Sequence, residues 1–419
     1  MNRAVKNLKR LLMFSIIFLV CAGCGSEGNS GSELVNNDID FERSDYKKIT
    51  TANNLLGFNM LEQIEPDESG NIFISPTSLF MAILMAYNGA DGVTKEEIES
   101  ALRLEDIHLD EVNKANASLL AMLDKDTEHT QIQIGNSIWV SDAFNLQDSY
   151  ININKDYLNA DVHSIDISDK ASADKINEWV QDATHDKIMN MVDPPLNQDM
   201  VALLLNAIYF NGDWTYPFDP DETTKQGFQT GDDSKTNVQM MKLHEDKLAY
   251  MENDTFQAVS LPYGDKKMSM KIFLPNDDDG LDKLTEELTN DNWLEWMNEL
   301  REQEGTVQLP KFKLEYETTL NQTMQNLGIR KAFSGNAEFP NMIQEDSSIR
   351  ISKVKQKTYI NVDETGTEAA GATSVEIEMT STPIDGPFSM IVNKPFFMAI
   401  TDDETDTILF MGVINNPAT

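Results

Sequence analysis

Along Ser78–Tyr87 the sequence SLFMAILMAY is apolar on every side of a helical wheel, which predicts a helix buried inside a large domain. The residues before it, Asn71-Ile72-Phe73-Ile74-Ser75-Pro76, read as a short strand stopped by proline. Ala171–Ile188 carries a helical pattern, whereas Ile132–Val140, Val201–Phe210, Met268–Leu274, Val307–Leu314, Thr358–Val362 and Phe396–Thr401 read as strands. Helices dominate the first half of the chain and strands the second. No repeat period appears and no Pro/Gly-rich linker divides the body, so the pattern predicts one α+β domain with a large sheet.

The stretch from Thr367 to Met379 has period two. Thr367, Ala369, Gly371, Thr373, Val375, Ile377 and Met379 fall on one face, and Glu368, Ala370, Ala372, Ser374, Glu376 and Glu378 on the other. One face is small or apolar and the other largely polar, as in a half-buried strand. Yet the first part is Ala, Gly and Thr, too small to nucleate a strand by its own packing. The segment is suited to enter a sheet without clashing. From periodicity alone, an ordinary strand with a small-residue stretch under a helix is the simpler reading.

The N-terminus changes the picture of where the chain works. Arg3, Lys6, Lys9 and Arg10 precede an apolar run from Leu11 to Val20, which ends in Cys21-Ala22-Gly23-Cys24. That is the layout of an export signal, and the apolar run is too short to span a bilayer as a stable helix. The small residues before Cys24 are similar to a bacterial lipobox, which implies lipidation of Cys24 and a membrane anchor, although Cys21 stands where Leu is usual. Processing elsewhere would give a freely secreted product, and both outcomes are extracytoplasmic. Gly25–Ser44, rich in Gly, Ser, Asn and Asp, reads as a tether, and the folded body is expected to begin near Asp45.

Both cysteines of the 419-residue chain lie in the export segment, so stability must come from packing without disulfides. The formal charge of −37 argues against nucleic-acid binding, since a polyanion would be repelled and no basic stripe is visible. Asp277-Asp278-Asp279-Gly280 fails the calcium-loop spacing, with Pro275 where the first ligand would stand, and reads as a solvated turn.

Hydrolase signatures are missing. There is no G-x-S-x-G elbow, and His244-Glu245 lacks the second histidine of H-E-x-x-H. The five histidines, His108, His129, His163, His185 and His244, are scattered and read as surface or helix-end residues. Nothing calls for a catalytic residue, a metal or a cofactor.

The run Glu364-Thr365-Gly366-Thr367-Glu368-Ala369-Ala370-Gly371-Ala372-Thr373 resembles the serpin hinge, usually written E-x-G-T-E-A-A-A-A-T, with Gly371 as a tolerated small residue. The Asn71–Pro76 strand with Ser78, Asn206-Ala207-Ile208-Tyr209-Phe210 with Gly212, Trp214, Pro217, Phe218 and Thr223, Leu309-Pro310-Lys311-Phe312, Asn393-Lys394-Pro395-Phe396, Phe410-Met411-Gly412 and Asn416-Pro417 are similar to other serpin segments in order and spacing. The resemblance implies a serpin fold, with helices packed around a large central mixed sheet plus smaller sheets and an exposed reactive-centre loop. Together with the export segment, it divides the chain into a lipoprotein-type signal peptide at 1–23, a flexible tether at 24–44 and a serpin domain at 45–419, with the loop at about 364–392.

The implied function is protease inhibition by a monomer that is not itself an enzyme. A serine, or in some cases cysteine, protease attacks the loop and forms an acyl-enzyme, and the hinge then inserts into the sheet and drags the protease along. Inserting about fourteen residues at roughly 3.3 Å each moves the protease on the order of 45 Å. Family spacing puts the scissile bond at Thr380-Ser381, with Met379-Thr380 as the alternative. No Lys or Arg lies between Gly366 and Asn393, so the expected targets are elastase-like or subtilisin-like rather than trypsin-like. Family geometry also implies that Glu364 pairs with Lys311, and that Ser75, Ser78 and Asn206 meet Gln356 in a sheet-opening cluster where the family commonly has His. A non-inhibitory carrier on the same fold, or a surface-binding lipoprotein, is the alternative.

Overall fold

The computed structural model describes residues 39–418 apart from 125, 126, 128, 199, 233, 279, 347, 348 and 368–385. After a 3-10 turn at Asp45–Lys48 come α1 (Thr50–Leu61), β1 (Ile72–Ile74), α2 (Pro76–Gly89), α3 (Gly92–Ala101), α4 (Leu109–Leu123), β2 (Thr130–Ser141), α5 (Asp148–Leu158), β3 (Ala160–Ile165), α6 (Ala171–Ala183) and β4 (Ala202–Asp213). A run of strands follows: β5 (Thr224–Gln229), β6 (Lys235–Glu252), β7 (Phe256–Tyr263) and β8 (Met268–Pro275). The last part holds α7 (Gly280–Glu286), α8 (Asn290–Glu299), β9 (Arg301–Pro310), β10 (Phe312–Thr319), α9 (Asn321–Asn326), β11 (Ile351–Val362), β12 (Gly366–Thr367), β13 (Phe388–Ile391), β14 (Phe396–Asp402) and β15 (Thr407–Ile414).

Among the described residues the strands form two sheets. A six-stranded mixed sheet has the order β10-β11-β12-β4-β2-β3, and a nine-stranded sheet runs β1-β15-β14-β8-β7-β6-β9-β13 with β5 on β6. A large mixed sheet with further sheets was the expectation, and both are present. The second is the larger of the two.

Local chemistry explains the elements that matter for the site. Pro76 occupies the first turn of α2, where its missing N–H costs nothing, and the Ser75 hydroxyl caps the helix by accepting the Ser78 N–H at 3.2 Å. Every residue of α2 is buried, as its all-round apolar sequence requires, and the helix packs against β15, β4 and β2. In β4 the inward positions alternate between two clusters. Ala202, Leu204, Ile208 and Phe210 join the main core, while Leu203, Leu205 and Ala207 join a smaller cluster with Ile176 and Val180 of α6.

Two expected elements differ. Val307–Leu314 is not one strand: β9 ends at Pro310 in the nine-stranded sheet and β10 starts at Phe312 in the six-stranded one. Lys311 forms the crossover, its N–H bonded to Gln239 O at 2.7 Å. The helical pattern of Ala171–Ile188 stops at Ala183 because His185 and Asp186 both take positive φ, 47° and 63°, and the Thr184 hydroxyl accepts the Ile188 N–H at 3.1 Å. Among the described residues no helix is long and apolar enough to cross a membrane.

Candidate functional site

The site is built where β11 turns into β12. Asp363 closes the turn: its Oδ1 accepts the Thr365 N–H at 2.9 Å and hydroxyl at 2.7 Å, and its own N–H donates to Gly366 O at 2.9 Å. The segment after β4 grips this turn. The Trp214 N–H donates to Thr365 O (2.8 Å), the Trp214 indole N–H to Asp363 O (2.9 Å) and the Phe218 N–H to Glu364 O (2.9 Å). Trp214 and Phe218 are therefore holders of the turn between β11 and β12.

Glu364 is nearly buried and meets Lys311 Nζ at 2.6 Å, the pairing expected from the sequence. The Thr223 hydroxyl donates to its other oxygen at 2.9 Å. Burial opposes ionisation of this carboxyl, but the hydrogen bonds from Lys311 and Thr223 outweigh it and hold Glu364 below the ordinary carboxylate range. Lys311 reaches the turn because it sits at the break between β9 and β10.

Gly366 and Thr367 then form β12, wedged between β4 and β11 and antiparallel to both. A Cβ at Gly366 would lie 2.1 Å from Gly212 O, so only glycine fits this close approach. Thr367 is 1% exposed and shares a 2.6 Å hydrogen bond with the Tyr263 hydroxyl. Below the wedge, β4 and β11 pair directly with each other in parallel, from Ile351 opposite Ala202 to Lys357 opposite Ala207.

At the centre of that parallel pairing Gln356 stands opposite Asn206. Gln356 makes a reciprocal pair with the Ser75 backbone, accepting its N–H at 3.1 Å and donating to its carbonyl at 2.9 Å. The Ser75 hydroxyl also donates to Leu409 O at 2.6 Å. Ser75, Ser78 and Gln356 are thus brought together. The Asn206 side chain is not part of this set: it donates to Asn136 Oδ1 at 2.6 Å, on the neighbouring strand β2. Asn206 Oδ1 and Ser78 Oγ are buried with no hydrogen-bond partner.

Asn136 is a site residue that sequence reading missed, along with Tyr263. Its signal was a polar residue in the inward register of β2, between Ile134 and Ile138. On the opposite face, Lys355 is buried and donates to Met191 O at 2.6 Å while meeting Glu317 at 2.6 Å, tying the segment after α6 to β11.

Beyond the loop, β13 pairs in parallel with β9. Phe388 stacks on Tyr250 with ring centroids 3.8 Å apart and lies over Gly305, where a Cβ would come within 2.1 Å of its ring. His163 is a departure from the surface role expected of the histidines. It is half-buried and stacks on Trp139 at 4.1 Å, and burial lowers its pKa against an opposing pull from Asp161. Cys24, the hinge residues Glu368, Ala369, Ala370, Gly371, Ala372 and Thr373, and the bond residues Met379, Thr380 and Ser381 lie outside the described residues.

A two-residue strand thus stands between two mutually parallel neighbours at the start of the small-residue run. The family model for serpin, serine protease inhibitor, matches residues 51–417. Iripin-2 of Ixodes ricinus is 33% identical over 384 residues, which cover 88% of this chain and 93% of that protein. Among solved structures, the thermophilic serpin Tengpin in its native state aligns with TM-score 0.80 and 27% identity, covering 91% of this chain and 96% of its own. Serpin48 of the insect Tenebrio molitor aligns with TM-score 0.76 and 28% identity over 89% and 97%.

The chain belongs to the serpin family. Its family and relatives mark it as a protease inhibitor of the serpin type.

Proposed function

We propose that this protein traps its target protease covalently: the protease cleaves the segment after β12, and residues beyond Thr367 then enter between β4 and β11. The observation that carries this is β12 itself. Gly366 opposite Asp213, Thr367 opposite Gly212, and Val362 opposite Thr367 fix an antiparallel register on both sides. Extending it puts Ala369 between Phe210 and Ile360, Gly371 between Ile208 and Thr358, and Thr373 between Asn206 and Gln356. The registers from β4 and from β11 reach Thr373 independently at the level where Asn206 and Gln356 now face each other.

The chemistry at each level supports the reading. Small Ala369 and Gly371 enter over Phe210 and Ile208 without overpacking. Thr373 brings a hydroxyl to the level of the unpartnered Asn206 Oδ1. Val375 follows beside Leu204 and Val354, and burying a side chain of this kind contributes roughly 1.5–3 kcal/mol. From the level of Ala207 and Lys357 onward, each inserted residue also replaces a parallel pairing with two antiparallel ones.

The bond attacked in this account is Thr380-Ser381, or Met379-Thr380. Met and Thr before the bond suit the small or medium apolar pockets of elastase-like and subtilisin-like enzymes. Lipidation at Cys24 would place the inhibitor at the outer surface of a membrane, where exported proteases are met.

The test is to nick the purified body with a protease it does not capture and to follow thermal unfolding. Insertion predicts a cleaved form with a Tm raised well above that of the intact chain. A cleaved form no more stable than the intact one would favour a carrier or binding role on the same fold.

A further inference from the structure

On β6 and β9, His244 stands opposite Thr306 and Glu245 opposite Gly305. Side chains alternate across a strand, so His244, Asp246, Glu304 and Thr306 share one face, opposite the buried Leu243, Gly305 and Val307. The next pair is Leu248 opposite Gln303, leaving Asp246 and Lys247 against Glu304 alone. That two-against-one count is a β-bulge, a device that re-aims side chains.

The bulge collects metal-binding atoms. One ligand atom each from His244, Asp246 and Glu304 lies within 4.8 Å of the others, and His244 Nε2 is 3.7 Å from a Glu304 oxygen. Zinc bonds of about 2.0–2.2 Å set tetrahedral donors roughly 3.3–3.6 Å apart, so small side-chain rotations close the set. His244 Nδ1 is 3.0 Å from Thr306 Oγ1. With Nδ1–H donating to that hydroxyl, the Nε2 lone pair faces the two carboxylates, as in an oriented metal-ligating imidazole. A set of one imidazole and two carboxylates attracts a divalent cation, and its nitrogen donor favours zinc-like ions over calcium or magnesium.

The geometry points to a surface site for a first-row divalent cation of the zinc type, held by His244, Asp246 and Glu304 with water completing the coordination. The ion ties β6 to β9 where their ladder is interrupted. Because β9 also carries β13, it braces the strand to which the segment after the bait loop returns.

The experiment is calorimetric titration of zinc chloride into the full chain, repeated with His244→Ala and Thr306→Val, with circular dichroism to verify folding. The wild type is expected to bind one zinc per chain at this site and to gain thermal stability. His244→Ala loses both effects, and Thr306→Val weakens binding about tenfold, as loss of an orienting partner does. Cobalt in place of zinc gives a visible tetrahedral spectrum that disappears in His244→Ala. Zinc binding of equal affinity and stoichiometry in folded His244→Ala overturns the assignment, as does the lack of binding at millimolar zinc. Magnesium competing on equal terms overturns the zinc-type choice.

Discussion

Thr367 Oγ1 and Tyr263 OH share a 2.6 Å hydrogen bond in the main core. Burial pushes the Tyr263 phenol far above its usual pKa, so at any physiological pH it is a neutral partner. In the proposed mechanism, the first inward residue of the hinge is thereby seated before any protease arrives. Thr367→Arg would drive a charge into this buried position against the neutral Tyr263 phenol, which is costly. The expected outcome is a switch from inhibitor to substrate: the stoichiometry of inhibition rises several-fold while the rate of loop cleavage is kept. Unchanged stoichiometry would remove the hinge assignment.

Glu364 and Lys311 close the turn above the wedge. Because the folded-state pKa of Glu364 lies below its ordinary value of 4.5, ionisation of this group stabilises the fold above that pH. The contribution is lost as pH falls through the depressed folded-state value. Glu364→Gln should therefore cost about 1.5–3 kcal/mol at neutral pH, the range for hydrogen bonds to charged groups. The difference from wild type should shrink as the pH falls below about 4.5 and onward through the folded pKa. Denaturant unfolding of both proteins across that range checks the sign, and a gap that widens on acidification would contradict it.

At the sheet centre the polar contacts are made by groups that do not titrate. Gln356→Leu orphans the Ser75 N–H and leaves the Ser75 carbonyl with only the Leu79 N–H, and Asn136→Ala orphans the Asn206 amide. Each orphaned buried group should cost about 1–3 kcal/mol. Unfolding midpoints at unchanged m-value read the effect, and Gln356→Leu is expected to be the more damaging of the two. Equal stability of Gln356→Leu and wild type would show that the Ser75 contacts are dispensable.

Much of this site was legible in the chain because its chemistry is local. The hinge run and the Ser75-Pro76 helix start are each carried by residue types with few alternatives at their positions, whereas the Lys311–Glu364 pairing, 53 residues apart, was implied only by the family resemblance. The split at Lys311 was not legible, because Val307, Leu309, Phe312 and Leu314 are apolar on both sides of the break and each strand buries its own. Only Pro310, unable to donate to a ladder, marked it. Asn136 and Tyr263 escaped for a different reason: their partners Asn206 and Thr367 lie 70 and 104 residues away. No pattern along the chain encodes such a pairing. His163 read as a surface or helix-end residue, and its stacking on Trp139 depends on the β2–β3 register.

The most direct test of the central claim is to mix the folded body with an elastase-like and, separately, a subtilisin-like protease and resolve the products under denaturing conditions. The account predicts an SDS-stable band near the summed masses, with a released peptide that begins at Ser381, or at Thr380 if the alternative bond is used. Clean cleavage in the loop with no covalent band, for proteases of both kinds, would contradict trapping by insertion.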